Sequence, residues 1–387
     1  MRFLTAGESH GPALTTIIEG LPANLPLDKS AINLELARRQ QGYGRGDRMK
    51  IEKDQIEVLA GLRFGRTIGS PVALHISNQD YQHWRLSKMA PFAEAEQPAD
   101  MVTQPRPGHA DLPGALKYDL TDLRDVLERA SARETAARVA VGAVAKQLLK
   151  EFEINIYSYV QSIGSTGIKP LDAALLVSNY EQVEKSPVRC PDDEAAKKMM
   201  AAIDYAKAEG DSLGGVFTVM AVGVPVGLGS HVQWDRRLDG RLASALMSIQ
   251  AIKGVEIGDG FAMAALPGSL VHDEIYYHRS KGYYRQTNHA GGIEGGITNG
   301  ETVVVRAAMK PIPTLYKPLR SVNMADHSPF TATVERSDAC AVPAASIVAE
   351  AVVAWELALA LREKLGGDSL GEMKENYNAY LKRVAKR

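Results

Sequence analysis

Gly7-Glu8-Ser9-His10-Gly11-Pro12, running on into Ala13-Leu14-Thr15-Thr16-Ile17-Ile18, is the stretch on which the fold turns. Its first five residues fit the G-x-S-x-G pattern of a nucleophile elbow, which sets a serine between a strand and a helix of a hydrolase sheet. The setting points elsewhere. Only eight residues precede Ser9, too few to lay down the earlier strands an elbow builds on. Pro12 and the β-branched run from Thr15 to Ile18 predict that a strand follows, not a helix. A serine hydrolase using Ser9 is therefore the minor alternative. The main reading makes His10 the working group, held on a glycine-flanked turn, because imidazole suits proton donation near neutral pH.

Working outward, residues 27–41 read as a helix with Asp28 or Ser30 as N-cap and Gly42 just past its end. Three glycines and two arginines in Gly42-Tyr43-Gly44-Arg45-Gly46-Asp47-Arg48 predict a cationic loop. Residues 51–76 read as β-rich, and 78–120 as a long polar loop of the kind that carries function. Residues 121–152 read as a helix with an apolar stripe and Ala-rich turns. Strands are predicted over 154–164, 215–226 and 302–306, and helices over 191–209, 238–253 and 343–365, with a polar tail helix after Gly367. Helices and strands alternate without a regular βαβ rhythm and without internal repeats, so the fold class predicted is α+β. No composition shift marks a linker, and residues 1–387 are expected to form one domain.

The 387 residues are 45% hydrophobic and 24% charged, the balance of a folded globular chain. A net charge of -1 argues against a broad nucleic-acid surface or a polybasic membrane patch. Cys190 and Cys340 lack metal-type spacing, and two cysteines make no disulfide framework, which points to a reducing cytoplasm. The apolar run at the N-terminus is too short for a secretory leader and is broken by Glu8. The apolar stretch from Ile347 to Leu361 contains Glu350 and Glu356, so a core helix is expected there and not a membrane span.

A second histidine strengthens the reading of His10. His109 lies in Arg106-Pro107-Gly108-His109-Ala110-Asp111, on another constrained loop with a cation before it and a carboxylate after it. Two such rings fit a pair of general acids. Arg38 at a helix end is explained by the macrodipole. The glycine spacing around Arg45 and Arg48 lets guanidinium groups and main-chain amides converge on one oxyanion. Lys310-Pro311-Ile312-Pro313-Thr314 reads equally as a stiffened anion contact or a rigid connection. Arg336-Ser337-Asp338 reads on its own as a cap or ion pair before the last large helix. No Walker A, dinucleotide or zinc-protease pattern is present in the sequence.

Taken together, these segments resemble the chorismate synthase family. The resemblance rests on Gly7 to Pro22, Glu128 to Val139 and Arg336 to Glu350, with Arg38-Arg39-Gln40, Gly42 to Gly46, Arg106 to Asp111, Gly210-Asp211-Ser212, Gly291 to Gly300 and Lys310 to Thr314 between them, in family order. It implies a β-α-β sandwich, with antiparallel sheets outside and helices packed between them. It also implies a 1,4-anti elimination of phosphate from 5-enolpyruvylshikimate 3-phosphate, giving chorismate, with reduced FMN required and no net redox change. On that resemblance His109 is the acid near the leaving phosphate, His10 the acid that supports the reduced flavin, and Asp338 a carboxylate that helps remove a proton in concert with it. Arg39, Arg45, Arg48, Arg106, Arg133 and Arg336 match anion-binding arginines. Ser131, Ala132, Gln250, Ala251, Gly296, Lys310, Thr314 and Arg336 match positions lining FMN, with Arg39, Arg45 and Arg133 beside them. A homotetramer is implied. The chain shows no added reductase domain, which favours an external flavin reductase over reduction by NADPH.

Overall fold

The computed structural model describes residues 1–46, 52–84, 89, 101–332 and 337–387. The opening segment forms a β-hairpin. Strand β1 (Arg2–Ala6) pairs antiparallel with β2 (Ala13–Glu19), and the GESHG loop closes it. Gly7 has φ +113°, and a Cβ there would lie 2.2 Å from the Ala13 carbonyl oxygen, so the loop tolerates only glycine at its entry. A strand therefore follows Ser9, as the β-branched run requires. The hairpin continues into a four-stranded antiparallel sheet in the order β1-β2-β4-β3, with β3 Glu57–Ala60 and β4 Val72–Ser77. Leu14, Ile18, Val72, Leu74 and Ile76 point inward and are buried.

The second sheet has five strands in the order β8-β9-β7-β5-β6, all antiparallel: β5 Asn155–Ile163, β6 Thr166–Gly167, β7 Gly215–Val222, β8 Ile252–Ile257 and β9 Val303–Met309. Between the sheets lie helices α1 (Lys29–Gln40), α4 (Thr135–Lys150) and α7 (Val342–Leu365). Helix α4 packs on the four-stranded sheet, α7 on β5 and β7, and the two helices on each other. This is the α+β sandwich expected, with sheets outside and helices within. Helix α7 is long and apolar enough to span a membrane, but 89% of its most apolar window is buried in this packing. Pro343 starts it without costing a hydrogen bond. The tail helix, α8 (Leu370–Val384), opens with a capping box between Ser369 and Glu372.

Four segments differ from expectation. The helix predicted over 121–152 is broken: α3 (Leu123–Ala130) stops at Ser131, which is extended, and Ala132–Glu134 form a single 3-10 turn before α4. The Ser131 hydroxyl accepts the Arg133 N–H, a side-chain cap that starts a new helix inside an apparently continuous pattern. The loop over 78–120 contains a helix, α2 (Asp111–Tyr118), with Pro113 in its first turn. The helix predicted over 191–209 forms as α5 (Asp193–Ala208), whereas that predicted over 238–253, α6 (Leu238–Met247), ends early and Ala251 turns at φ +66° into β8. Two short helices, Ala173–Ser178 and Tyr180–Lys185, cover the outer side of the larger sheet around Tyr159 and Met220. For α1, the N-cap is Asp28, which accepts from Ser30 N–H.

Candidate active site

The break at Ser131 builds one half of the site. It sets α3 against the GESHG loop, where Ser9 N–H donates to the Glu128 carbonyl at 3.0 Å and the Ser9 and Ser131 hydroxyls meet at 3.1 Å. Ser9 is 2% exposed, so burial keeps its hydroxyl from the open position that a nucleophile needs. His10 is anchored by Glu128. The carboxylate accepts from the His10 main-chain N–H at 2.7 Å and from ring Nδ1 at 2.9 Å. The ring stacks on Trp84 with centroids 4.1 Å apart, and Nε2 lies 3.9 Å from an Asp80 carboxylate oxygen.

Beneath this loop Asn78 joins its main chain to the arginines. Its amide nitrogen donates to the Glu8 and Gly11 carbonyls, while its oxygen accepts from Arg133 Nε and Nη2 at 2.9 and 2.7 Å. Arg133 and Arg39 share the buried Asp54, at 2.6 and 2.8 Å. Burial pushes Asp54 up, but the two guanidinium groups hold it below the usual carboxylate range. Arg39 is pushed down to about 10, by burial first and then by Arg133 and Arg45, against the pull of Asp54. Its Nε is buried and has no partner among the described residues. Glu52 lies 3.8 Å from Arg133 as well, so two buried guanidinium groups are held in place by two buried carboxylates.

The other half surrounds His109. Asp111, at the start of α2, accepts from His109 Nδ1 at 2.5 Å and from Arg106 Nε at 2.8 Å. Burial raises Asp111, yet the His109 and Arg106 contacts hold it well below the usual carboxylate range. Arg106 also donates to the Thr314 hydroxyl at 2.8 Å, and Lys310 Nζ to the Gly108 carbonyl at 2.5 Å, so the proline-stiffened segment docks on the His109 loop. The halves are linked through Ala251, whose carbonyl accepts Lys310 N–H, and through Gln250, whose amide reaches Glu134 at 3.4 Å. Gln250 Oε1 is a buried acceptor without a partner among the described residues.

Asp338 caps no helix: the N-cap of α7 is Ala341, without a side-chain bond. Its carboxylate instead accepts the Gly46 N–H at 2.6 Å and pairs with Arg45 at 3.1 Å. His10, Arg39, Arg133, Ser131 and Ala132 thus gather around the hairpin loop, His109, Arg106, Lys310, Thr314, Ala251 and Gln250 around the second histidine, and Asp338 with Arg45 makes a third group whose charge reaches Arg39. Gly296 stands apart, against Arg237 at the N-terminal end of α6, while Gln250 and Ala251 lie just past its other end. Arg48 and Arg336 lie outside the described residues. Glu128, Asp54 and Asn78 escaped the sequence reading. Glu128 stands four residues after Arg124 in a helix, a spacing that ordinarily marks a solvated ion pair.

Arginines paired with buried carboxylates, beside two carboxylate-anchored imidazoles on an α+β sandwich, mark an enzyme of small-molecule chemistry. The chorismate synthase family profile matches residues 1–361. Chorismate synthase of Desulforamulus reducens is 61% identical over 380 residues, covering 98% of both chains, and that of Geobacter sulfurreducens 59% identical over 392 residues, covering 99% of both. A crystal structure of chorismate synthase superposes with a TM-score of 0.81 at 48% identity, covering 100% of this chain and 98% of the other. The chain belongs to the chorismate synthase family, whose members are carbon-oxygen lyases.

Proposed function

We propose that this enzyme, as one domain over residues 1–387, removes phosphate from 5-enolpyruvylshikimate 3-phosphate by 1,4-anti elimination to give chorismate. The observation that carries the reading is the concentration of Arg39, Arg45, Arg106 and Arg133 around two imidazoles in a chain of net charge -1. A substrate with two carboxylates and a phosphate calls for guanidinium groups already fixed in place, and here each is fixed by a carboxylate partner. Arg106 and His109 receive the leaving phosphate, with Asp111 fixing both. Asp338, held by Arg45 and the Gly46 amide, accepts the substrate proton. Arg48 and Arg336 complete the anion pocket.

Reduced FMN supplies electron density to the elimination with no net redox change. The orphaned Arg39 Nε and Gln250 Oε1 offer it a buried donor and acceptor, and they support a fit. Ser131, Ala132, Ala251, Lys310, Thr314 and Arg336 would hold it, with Gly296 an outlying member, and His10 donates a hydrogen bond toward it. An external reductase in the cytoplasm is the favoured source of reduced flavin, with NADPH the alternative reductant. The assembly is a homotetramer; Leu4 and Ile17, paired in register and exposed on the outer sheet face, offer apolar surface to a second copy. Anaerobic incubation of the purified protein with the enolpyruvyl substrate and reduced FMN should release phosphate and chorismate in equal amounts. Absence of product overturns the reading.

A further inference from the structure

We propose that Glu128 is a positioning residue that acts through His10, fixing which ring nitrogen faces the site. Glu128 is 3% exposed and lies in the last turn of α3, a place it reaches only because the helix stops at Ser131. One oxygen takes the His10 main-chain N–H and the other ring Nδ1, so backbone and ring are clamped by one carboxylate. A carboxylate accepts and does not donate, so Nδ1 carries the hydrogen in this contact and Nε2 is turned to the other side of the ring, 3.9 Å from an Asp80 carboxylate oxygen. Trp84 stacked on the ring and the Gly11 carbonyl held by Asn78 remove the remaining freedom of the turn. Burial pushes Glu128 up, but the His10 contacts outweigh it and hold the carboxyl below its ordinary range, with a further pull from Arg124. The same device recurs at His109 with Asp111, but Asp111 also holds Arg106, so its removal would change two groups. Arg124 reaches Glu128 only at 3.5 Å, against 2.7 and 2.9 Å for the His10 contacts, so the effect of Glu128 is read mainly through one imidazole.

The inference rests on the lyase reading for its kinetic arm and is independent of it for its spectroscopic arm. Turnover is measured for the full chain, Glu128→Gln, His10→Ala and the double variant, with reduced FMN. Glu128→Gln should lower kcat about 10-fold to 100-fold with the substrate KM and the FMN Kd within about twofold. In the His10→Ala background the same substitution should change kcat less than about twofold. Multiplying effects would mean that Glu128 acts on its own, and would overturn the inference. In parallel, the ring nitrogens of His10 are followed by 15N NMR. Nδ1 should carry the hydrogen in the unsubstituted protein, and the ring signals should move in Glu128→Gln. A bare Nδ1 in the unsubstituted protein overturns the inference even if the variant fails to fold or the preparation shows no turnover.

Discussion

At the scale of single residues, the opening motif shows how one neighbour decides between two chemistries. Ser9 and His10 sit side by side on the same hairpin loop, yet Ser9 is buried against Ser131 while the His10 ring meets Glu128, Asp80 and Trp84. A serine nucleophile must reach its substrate, and Ser9 is 2% exposed. His10→Ala should therefore lower turnover by about 100-fold, in the range of a lost proton donor, while leaving FMN affinity within about twofold. Rapid-mixing kinetics and a flavin titration on the same preparation check both parts. An unchanged rate would remove His10 from the chemistry. Arg38 makes the contrasting case, since the macrodipole accounted for it in sequence. The folded chain has it paired with Glu35, Glu184 and Glu350 and largely buried, because a residue 312 positions away supplies the charge.

At the scale of elements, helix α4 and helix α7 are the spine between the sheets, and their closeness depends on Gly142. A Cβ on Gly142 would lie 2.3 Å from the Cα and Cβ of Ala351, and 2.6 Å from its carbonyl oxygen. Backbone cannot give as a flexible side chain can, so the helices must separate. Gly142→Ala should destabilise the protein by about 1–3 kcal/mol despite the better helix propensity of alanine. A thermal midpoint equal to or above that of the parent protein would contradict it. The elements themselves were mostly legible: α1, α7 and strands β5, β7 and β9 have strong periodicity and end near their predicted bounds. What the sequence hid were interruptions inside good patterns. The break at Ser131 leaves the apolar stripe intact on both sides, and the turn at Ala251 puts a non-glycine residue at positive φ, so neither carries a compositional mark. Site histidines and arginines were legible as residue types in rigid loops. Asp111 was legible beside His109, but Asp54 and Glu128 were not, because they meet their partners only through tertiary packing.

At the scale of the whole molecule, charge is buried in the core itself. Glu350, on α7 and fully buried, pairs with Arg38 from α1, Lys146 from α4 and Arg189 from the segment after the short helices, and accepts from Ser158 on β5. One carboxylate thus ties three helices to the larger sheet. Burial drives Glu350 up, but Arg38, Lys146 and Arg189 overcome it and hold the carboxyl far below its ordinary range. Asp54, Asp111, Glu128 and Glu184 are likewise held down by their cations. For a group whose folded pKa is depressed, the stabilisation is complete above the unfolded value, near 4, and is lost as pH falls through the folded one. The native state should hold from neutral pH down to about 4 and weaken steeply below it. Glu350→Gln leaves three cations facing a neutral amide, which should cost about 3–5 kcal/mol at pH 7. It should also flatten the loss of stability between about pH 4 and pH 2, because one of the protons that drives acid unfolding no longer binds. Urea midpoints at pH 7 and across that acid range test both. A variant as stable as the parent at pH 7, with the same acid slope, would show that the network is neutral to stability and that the core is held by its apolar packing alone.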